Sequence, residues 1–290
     1  MHGAKLIGLA KSGAVLCDGA MGTMLQAEGL DAGACPELWN VERPEAIRAV
    51  HSAYVEAGAR IMTTNTFGAN RLKLDSYGIG DRVRELNAAG VAIAREVAGS
   101  DCFVAASVGP TGKLLEPLGD LTFEEAADVF AEQALAQAEA GADVILMETF
   151  ADLAEARAAL AGALRTGVPC FCTMAFDTGG RTMMGVDPVT AAAELSQAGA
   201  AGVGANCGVG PAQTLEVVSR IRSAAPAIVI AQPNAGVPRL VEGRTIYDST
   251  PQEMAAYAVR FAQVGVNIIG GCCGSTPEHI RAMGKALSSM

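Results

Sequence analysis

Short runs rich in Val, Ile and Phe recur along the chain, each followed by an alanine-rich stretch whose apolar residues return at helical spacing. The first pattern is that of a strand buried on both faces, and the second that of an amphipathic helix lying against it. The runs at 14–20 (AVLCDGA), 59–67 (ARIMTTNTF), 102–109 (CFVAASVG), 143–150 (DVILMETF), 169–176 (PCFCTMAF), 202–207 (GVGANC), 227–234 (AIVIAQPN) and 266–273 (VNIIGGCC) predict eight strands. The stretches at 44–57, 81–99, 122–140, 152–166, 188–199, 211–224, 250–264 and 277–288 predict helices. Pro44, Pro188, Pro211, Pro251 and Pro277 stand near first-turn positions, where a missing N–H costs nothing, and Thr122 precedes two glutamates as an N-cap does. The glycines of EAGA (56–59, 139–142), QAGA (197–200) and QVGV (263–266) fall where a helix stops and the next strand begins.

Eight successive βα units predict an α/β fold, a single (β/α)₈ TIM-type barrel spanning 1–290 as one domain. An open doubly wound sheet is the alternative, but no glycine fingerprint for phosphates follows any strand, which favours closure. At 50% hydrophobic and 18% charged residues the chain can fill one large core. Its net charge of −10, with 21 scattered Lys and Arg, argues against nucleic acid as a partner. The apolar stretch LIGLA near the amino terminus is too short for a secretory core, and no run is long enough to span a membrane. A cytoplasmic protein that keeps its eight cysteines as thiols or metal ligands is the expectation.

Barrel enzymes place their chemistry at the carboxyl ends of the strands. Here the polar and reactive residues fall at those ends: Asp18, Thr64, Asn65, Ser107, Glu148, Thr149, Asp177, Asn206, Cys207, Asn234, Cys272 and Cys273. Cys207 on strand six and the Cys272–Cys273 pair on strand eight lie two strands apart and can meet over the mouth. Three thiolates with one open corner form a catalytic zinc arrangement, and Gly270, Gly271 and Gly274 give the adjacent cysteines the freedom to bend toward one ion. Buried packing thiols and a vicinal disulfide are the other readings of this set. Cys17, Cys35, Cys102, Cys170 and Cys172 read as packing residues. His2, His51 and His279 fall at the terminus or on helices, where surface or helix-end roles suffice and acid–base chemistry is not expected. Glu148 ends an apolar strand, where a carboxylate needs a cation or donors, and so points to a ligand amine. The turn after Asp18 exposes backbone N–H groups suited to a carboxylate.

The strings DGAMGTMLQ (18–26), TNTFGAN (64–70), SVGPTG (107–112), ETF (148–150), GANCGVGP (204–211), QPNAG (232–236) and GGCCGSTPEHI (270–280) resemble those of the homocysteine S-methyltransferases. The closest resemblance is to the homocysteine-binding module of cobalamin-dependent methionine synthases. What this implies is a (β/α)₈ barrel with Zn²⁺ on Cys207, Cys272 and Cys273 and the homocysteine sulfur as fourth ligand. Asp18 and Glu148 would hold the substrate amino group, and the amides of Gly19, Ala20 and Met21 its carboxylate. Asn234 would lie beside the zinc and fill the open corner when substrate is absent. With eight βα units using up 290 residues, cobalamin is expected only on a separate corrinoid partner protein. A small onium donor, S-methylmethionine or betaine, and a non-catalytic zinc- or thiol-carrier are the competing expectations. The Gly- and Met-rich loop at 179–186 is a candidate lid or docking surface, or an ordinary mobile loop.

Overall fold

The computed structural model describes residues 2–177, 179–224, 228–241 and 244–290. Eight parallel strands, β1 (Val15–Leu16), β2 (Ile61–Thr63), β3 (Phe103–Val108), β4 (Val144–Phe150), β5 (Cys170–Met174), β6 (Gly202–Cys207), β7 (Ile228–Pro233) and β8 (Ile268–Ile269), lie in the order β1-β8-β7-β6-β5-β4-β3-β2. The ring closes between the two ends of that order. Cys17 bridges Ile61 in parallel, the Arg60 amide donates to the Leu16 carbonyl at 2.8 Å, and the Asp18 amide donates to the Ile61 carbonyl at 3.1 Å. The sheet is a (β/α)₈ barrel.

Alternation along each strand sorts the side chains into two cores. Inside the barrel sit Val15, Cys17, Ile61, Phe103, Ala105, Val144, Leu146, Phe171, Ile228, Ile230 and Ile268. Their neighbours of opposite parity, such as Met62, Val104, Ile145, Cys172, Val203 and Val229, pack outward under the helices. Each such aliphatic side chain contributes about 1.5–3 kcal/mol of burial, so the parity of every strand is strongly fixed. In β6 the inward positions are Gly202 and Gly204; a Cβ on Gly202 would lie 2.9 Å from the Phe171 ring, and one on Gly204 would lie 2.0 Å from the Ile230 carbonyl oxygen. The same parity, continued to the top of the barrel, brings Thr63, Ser107, Glu148, Thr173, Asn206, Gln232 and Gly270 inward. There the interior changes from apolar to polar.

The other end is closed by a helix, His2–Ser12, that the sequence reading passed over. Its buried Leu6 and Ala10 join the inner core, and its Ala10 carbonyl accepts from Asn267 at 2.9 Å. The predicted helix starts hold: Pro44, Pro188, Pro211, Pro251 and Pro277 each open a helix, and Thr122 with Glu125 forms a capping box. Gly58, Gly141, Gly199 and Gly265 all take positive φ at helix ends.

Several strands are shorter than predicted. Residues 18–20, 64–67 and 270–273 leave the ladder and build the mouth, and Met21–Ala27 is a helical turn rather than an open loop. Ala227, the first residue of the predicted seventh strand, lies outside the described residues. His51 is fully buried on helix Pro44–Glu56, not a surface residue. Within the β7-to-helix connection, Arg239–Val241 and Arg244–Ile246 form an antiparallel hairpin.

Candidate active site

Three sulfurs meet at the mouth. Cys207 Sγ lies 3.0 Å from Cys272 Sγ and 3.9 Å from Cys273 Sγ, and the latter two are 4.0 Å apart. Neighbours in a strand point to opposite faces, yet Asn206 and Cys207 both reach this cluster, with Asn206 Nδ2 at 3.9 Å from Cys272 Sγ. The backbone makes this possible: Cys207 has φ 58°, in the left-handed region, so the alternation breaks there. Thr149, the residue after Glu148, does the same at φ 67°. Such conformations cost roughly 1–3 kcal/mol each and persist only where surrounding contacts hold them.

Three half-buried thiols in mutual contact oppose one another's ionisation. Hydrogen bonds from the Cys207 and Cys272 thiols pull Cys273 down to about 3, with the Tyr247 hydroxyl adding another donor. Cys272, whose contacts with both neighbouring sulfurs favour its protonated form, is pushed far above the ordinary thiol range. Protons shared among these sulfurs are the ones a divalent cation would displace. In a tetrahedral zinc site with Zn–S near 2.3 Å, sulfurs are about 3.8 Å apart. Two of the three separations match, and the third is closer. Beside Cys207, whose carbonyl accepts from the Asn234 amide at 3.3 Å, the buried Asn234 Oδ1 has no hydrogen-bond partner among the described residues. The three soft donors and this orphaned oxygen fit a zinc ion.

The cluster forms one wall of a cavity of about 410 Å³ that is also lined by Gly19, Met21, Thr63, Phe67, Ser107, Glu148, Thr149 and Gln232. Among the described residues no Lys, Arg or His lines it. Glu148 faces the cavity, accepts a hydrogen bond from Ser107 Oγ and is pushed up to about 7 by burial, against that bond. Asp18 lies just beneath, almost fully buried, and accepts from the Thr63 amide at 2.6 Å, the Thr63 hydroxyl at 2.8 Å and the Cys17 thiol at 3.4 Å. Burial raises it too, to about 7, against those hydrogen bonds. Two neighbouring buried carboxyl groups thus face a cavity whose lining supplies no protein cation among the described residues.

The sequence-predicted residues separate here. Glu148, Gly19, Ala20, Met21 and the three cysteines line the cavity; Asp18 and Asn234 do not line it, and each instead hydrogen-bonds a residue that does, Asp18 to Thr63 and the Asn234 amide to the Cys207 carbonyl. The Ala20 amide already donates to Ser275 Oγ at 3.1 Å, which leaves the Gly19 and Met21 amides of the predicted carboxylate turn. Asp177 is exposed on the surface, caps its own turn by accepting from the Gly179 amide at 2.8 Å, and takes no part. Cys17, Cys35, Cys102, Cys170 and Cys172 are all buried. His279 serves a helix end: Nδ1 accepts from the Thr276 amide at 3.2 Å, and Nε2 donates to the Ser249 carbonyl at 2.9 Å.

Thr63, Glu37 and Tyr247 were missed. Thr63 could have been found by counting parity from Ile61. Glu37 is buried at the cavity rim, where it accepts from the Gly68 amide at 2.6 Å, and Tyr247 follows the hairpin, its ring so close to Gly274 that a Cβ there would lie 2.2 Å away. No local signal marks either of them.

The family model described as Homocysteine S-methyltransferase matches residues 15–287. Methionine synthase of Mycobacterium tuberculosis is 37% identical over 292 residues, which cover 94% of this chain and 24% of that protein. The Mycobacterium leprae methionine synthase is likewise 37% identical, with 93% and 24% covered. The chain thus spans about a quarter of the length of these relatives. In fold it is similar to the metallated form of the Escherichia coli homocysteine methyltransferase MmuM, with a TM-score of 0.79 and 24% identity over 96% of this chain and 97% of that one. With the motifs in order around one barrel mouth and the match running over nearly all of its length, the chain belongs to the homocysteine S-methyltransferase family.

Proposed function

We propose that this barrel methylates the thiol of homocysteine to give methionine, using Zn²⁺ held by Cys207, Cys272 and Cys273 and a methyl group presented by a corrinoid-carrying protein module. The observation that carries the reading is the sharing of one cavity by the sulfur cluster and two carboxylates that lack a protein cation. Homocysteine brings the matching groups on one short chain, a thiol at one end and an ammonium at the other.

Glu148 meets the ammonium directly, and Asp18 adds negative charge from beneath, its own oxygens anchored by Thr63. The Gly19 and Met21 amides face the carboxylate. Zn²⁺, when bound, supplies a Lewis acid that keeps the substrate thiol deprotonated at neutral pH. The cavity holds the sulfur in place and limits water around it, so that it attacks the donor methyl carbon in line while the leaving group departs with the bonding pair. No side-chain base is needed, which agrees with a cavity that no histidine lines among the described residues. The motifs that resemble those of cobalamin-dependent methionine synthases, taken with the 37% identity to two methionine synthases, favour a corrinoid donor. The acidic cavity supports a second reading, in which a small onium donor enters directly.

Binding and turnover test the proposal together. Zinc-loaded protein binds homocysteine more tightly than 4-mercaptobutanoate, which lacks the amine, and Glu148→Gln removes that preference while leaving zinc content unchanged. Methionine forms with methylcobalamin or a methylated corrinoid protein. Formation only with S-methylmethionine or betaine selects the onium reading, and no methionine with any donor leaves a thiol carrier.

A further inference from the structure

Four contacts converge on Asn206, a residue at the top of β6 with 1% of its surface exposed. Its Oδ1 accepts from the Thr149 amide at 2.8 Å and from the Thr173 hydroxyl at 2.7 Å. Its Nδ2 donates to Thr149 Oγ1 at 2.6 Å and points at Cys272 Sγ, 3.9 Å away. Both backbone and side chain of Thr149 are thus held by a single amide group.

Thr149 is the place where β4 departs from regular pairing. The register with β5 shifts between Met147 and Phe150, and Thr149 sits at φ 67°, a conformation a β-branched residue adopts only when held there. Glu148 directly precedes it. The orientation of the Glu148 carboxylate therefore depends on a turn that Thr149 would leave if its amide lost its acceptor, because a buried unpaired N–H is itself unfavourable. On the other side, Asn206 precedes Cys207, the second residue with a positive φ among the described non-glycine residues. One side chain thus links the strand end bearing the ammonium-binding carboxylate to the strand end bearing the first sulfur.

We propose that Asn206 is a positioning residue that sets the distance between the amine subsite and the sulfur cluster, by holding the left-handed turn at Thr149 and donating toward Cys272. It acts through Glu148 and Cys272 and touches no reacting atom. The inference rests on the homocysteine reading above and deepens it: the amide selects a thiol whose amine lies at a fixed separation from its sulfur.

The test is calorimetric titration of zinc-loaded wild type, N206A, N206A/T149G and N206D with homocysteine and 4-mercaptobutanoate. It is accompanied by zinc analysis and by the thiolate-to-metal absorption band of cobalt(II)-substituted protein. N206A is expected to bind homocysteine about 10-fold or more weakly, the scale typical of lost supporting contacts, with 4-mercaptobutanoate affected much less and metal content retained. Adding T149G, which permits positive φ unaided, restores most of the homocysteine affinity but not the position of the cobalt band. N206D keeps both accepted bonds, so it keeps the preference for homocysteine while shifting the band. If N206A fails to fold and N206A/T149G folds, the dependence of the turn on Asn206 is established directly. The inference is overturned if N206A discriminates the two thiols as wild type does, if T149G fails to rescue, or if N206D loses discrimination as fully as N206A. Wild type that binds no homocysteine refutes the functional reading and this inference with it; wild-type binding that is indifferent to N206A refutes the inference alone.

Discussion

The Ser107 hydroxyl donates a hydrogen bond to the Glu148 carboxylate from the neighbouring strand, and Ser107 is itself fixed. Its carbonyl accepts from Thr66 Oγ1 and from Gln137 Nε2, both at 2.8 Å. This rigid donor favours the ionised carboxylate, whereas burial opposes it and leaves Glu148 at about 7. Under the proposed function, the consequence is a pH-dependent affinity for the substrate amine. Homocysteine affinity should fall as pH drops through about 7, because a protonated Glu148 no longer attracts the ammonium. Ser107→Ala removes the opposing bond and should move the midpoint upward by about 1–2 units, as loss of one hydrogen bond to a charged group does. Calorimetry with homocysteine and 4-mercaptobutanoate between pH 6 and 8.5 checks this; a midpoint that stays put in Ser107→Ala would show that the bond does not tune Glu148.

Metal content separates the eight cysteines into two classes. Wild type is expected to hold about one zinc per chain, and Cys207→Ala, Cys272→Ala or Cys273→Ala should each lose it. Cys170→Ala and Cys172→Ala should keep it, since both side chains pack under the helices with their thiols raised by burial. Zinc should also raise the melting temperature of wild type but not of the three depleted variants. Elemental analysis showing the reverse pattern would remove the cluster from consideration as the metal site.

The barrel was legible because its signals are repetitive: eight apolar runs, prolines at helix starts and glycines at helix ends each state the same period. The strand ends were not. Residues 18–20 and 270–273 follow directly on apolar strand runs, but their hydrogen bonds go sideways, such as the Gly271 amide to the Asp18 carbonyl at 3.0 Å and the Cys272 amide to the Pro233 carbonyl at 2.8 Å. The cysteine cluster could be read because its members fall at the ends of strands six and eight, two strands apart, although parity alone would turn Cys207 away and only its left-handed backbone brings it in. Tyr247 could not, since it approaches Cys273 through a hairpin excursion whose path no local pattern encodes. The helix His2–Ser12 was passed over because its core contacts are few and small, Gly3, Leu6 and Ala10, and give only a weak stripe.

His51 offers a stability test remote from the site. It is fully buried, and neither ring nitrogen has a hydrogen-bond partner among the described residues. Burial lowers it to about 4, from an ordinary value near 6.5. A depressed value in the folded state means the stability it permits is present above the unfolded value and is lost as pH falls from about 6.5 toward 4. Over that window wild type should lose roughly 2–3 kcal/mol from this group alone. His51→Leu should flatten the loss and be at least as stable as wild type at pH 7, since it removes two unpaired polar atoms. Urea unfolding at pH 7, 5.5 and 4.5 measures it, and parallel pH profiles for the two proteins would contradict the assignment.

The loops over the mouth bear on how the methyl group arrives. Leu114 and Leu118 in the connection after β3, Met183 and Met184 after β5, and Val237 and Leu240 after β7 are all exposed, with Met183 at 84%, Leu240 at 77% and Leu118 at 64%. Among the described residues nine of the fifteen exposed large hydrophobics belong to such connections, and six lie on helices, at helix ends or at the carboxyl terminus. Scattered apolar exposure is ordinary, but the six loop side chains from Leu114 to Leu240 share the end of the barrel that holds the site. A corrinoid-carrying module would cover these loops, whereas a small donor would pass between them. Met183→Glu combined with Leu118→Glu should therefore slow methionine formation from a methylated corrinoid protein by about 10-fold or more, as loss of central contacts in an interface does. The same double variant should change the rate with free methylcobalamin or S-methylmethionine far less, because neither residue lines the cavity. Equal slowing with all donors would mean that the loops serve the site itself rather than a partner.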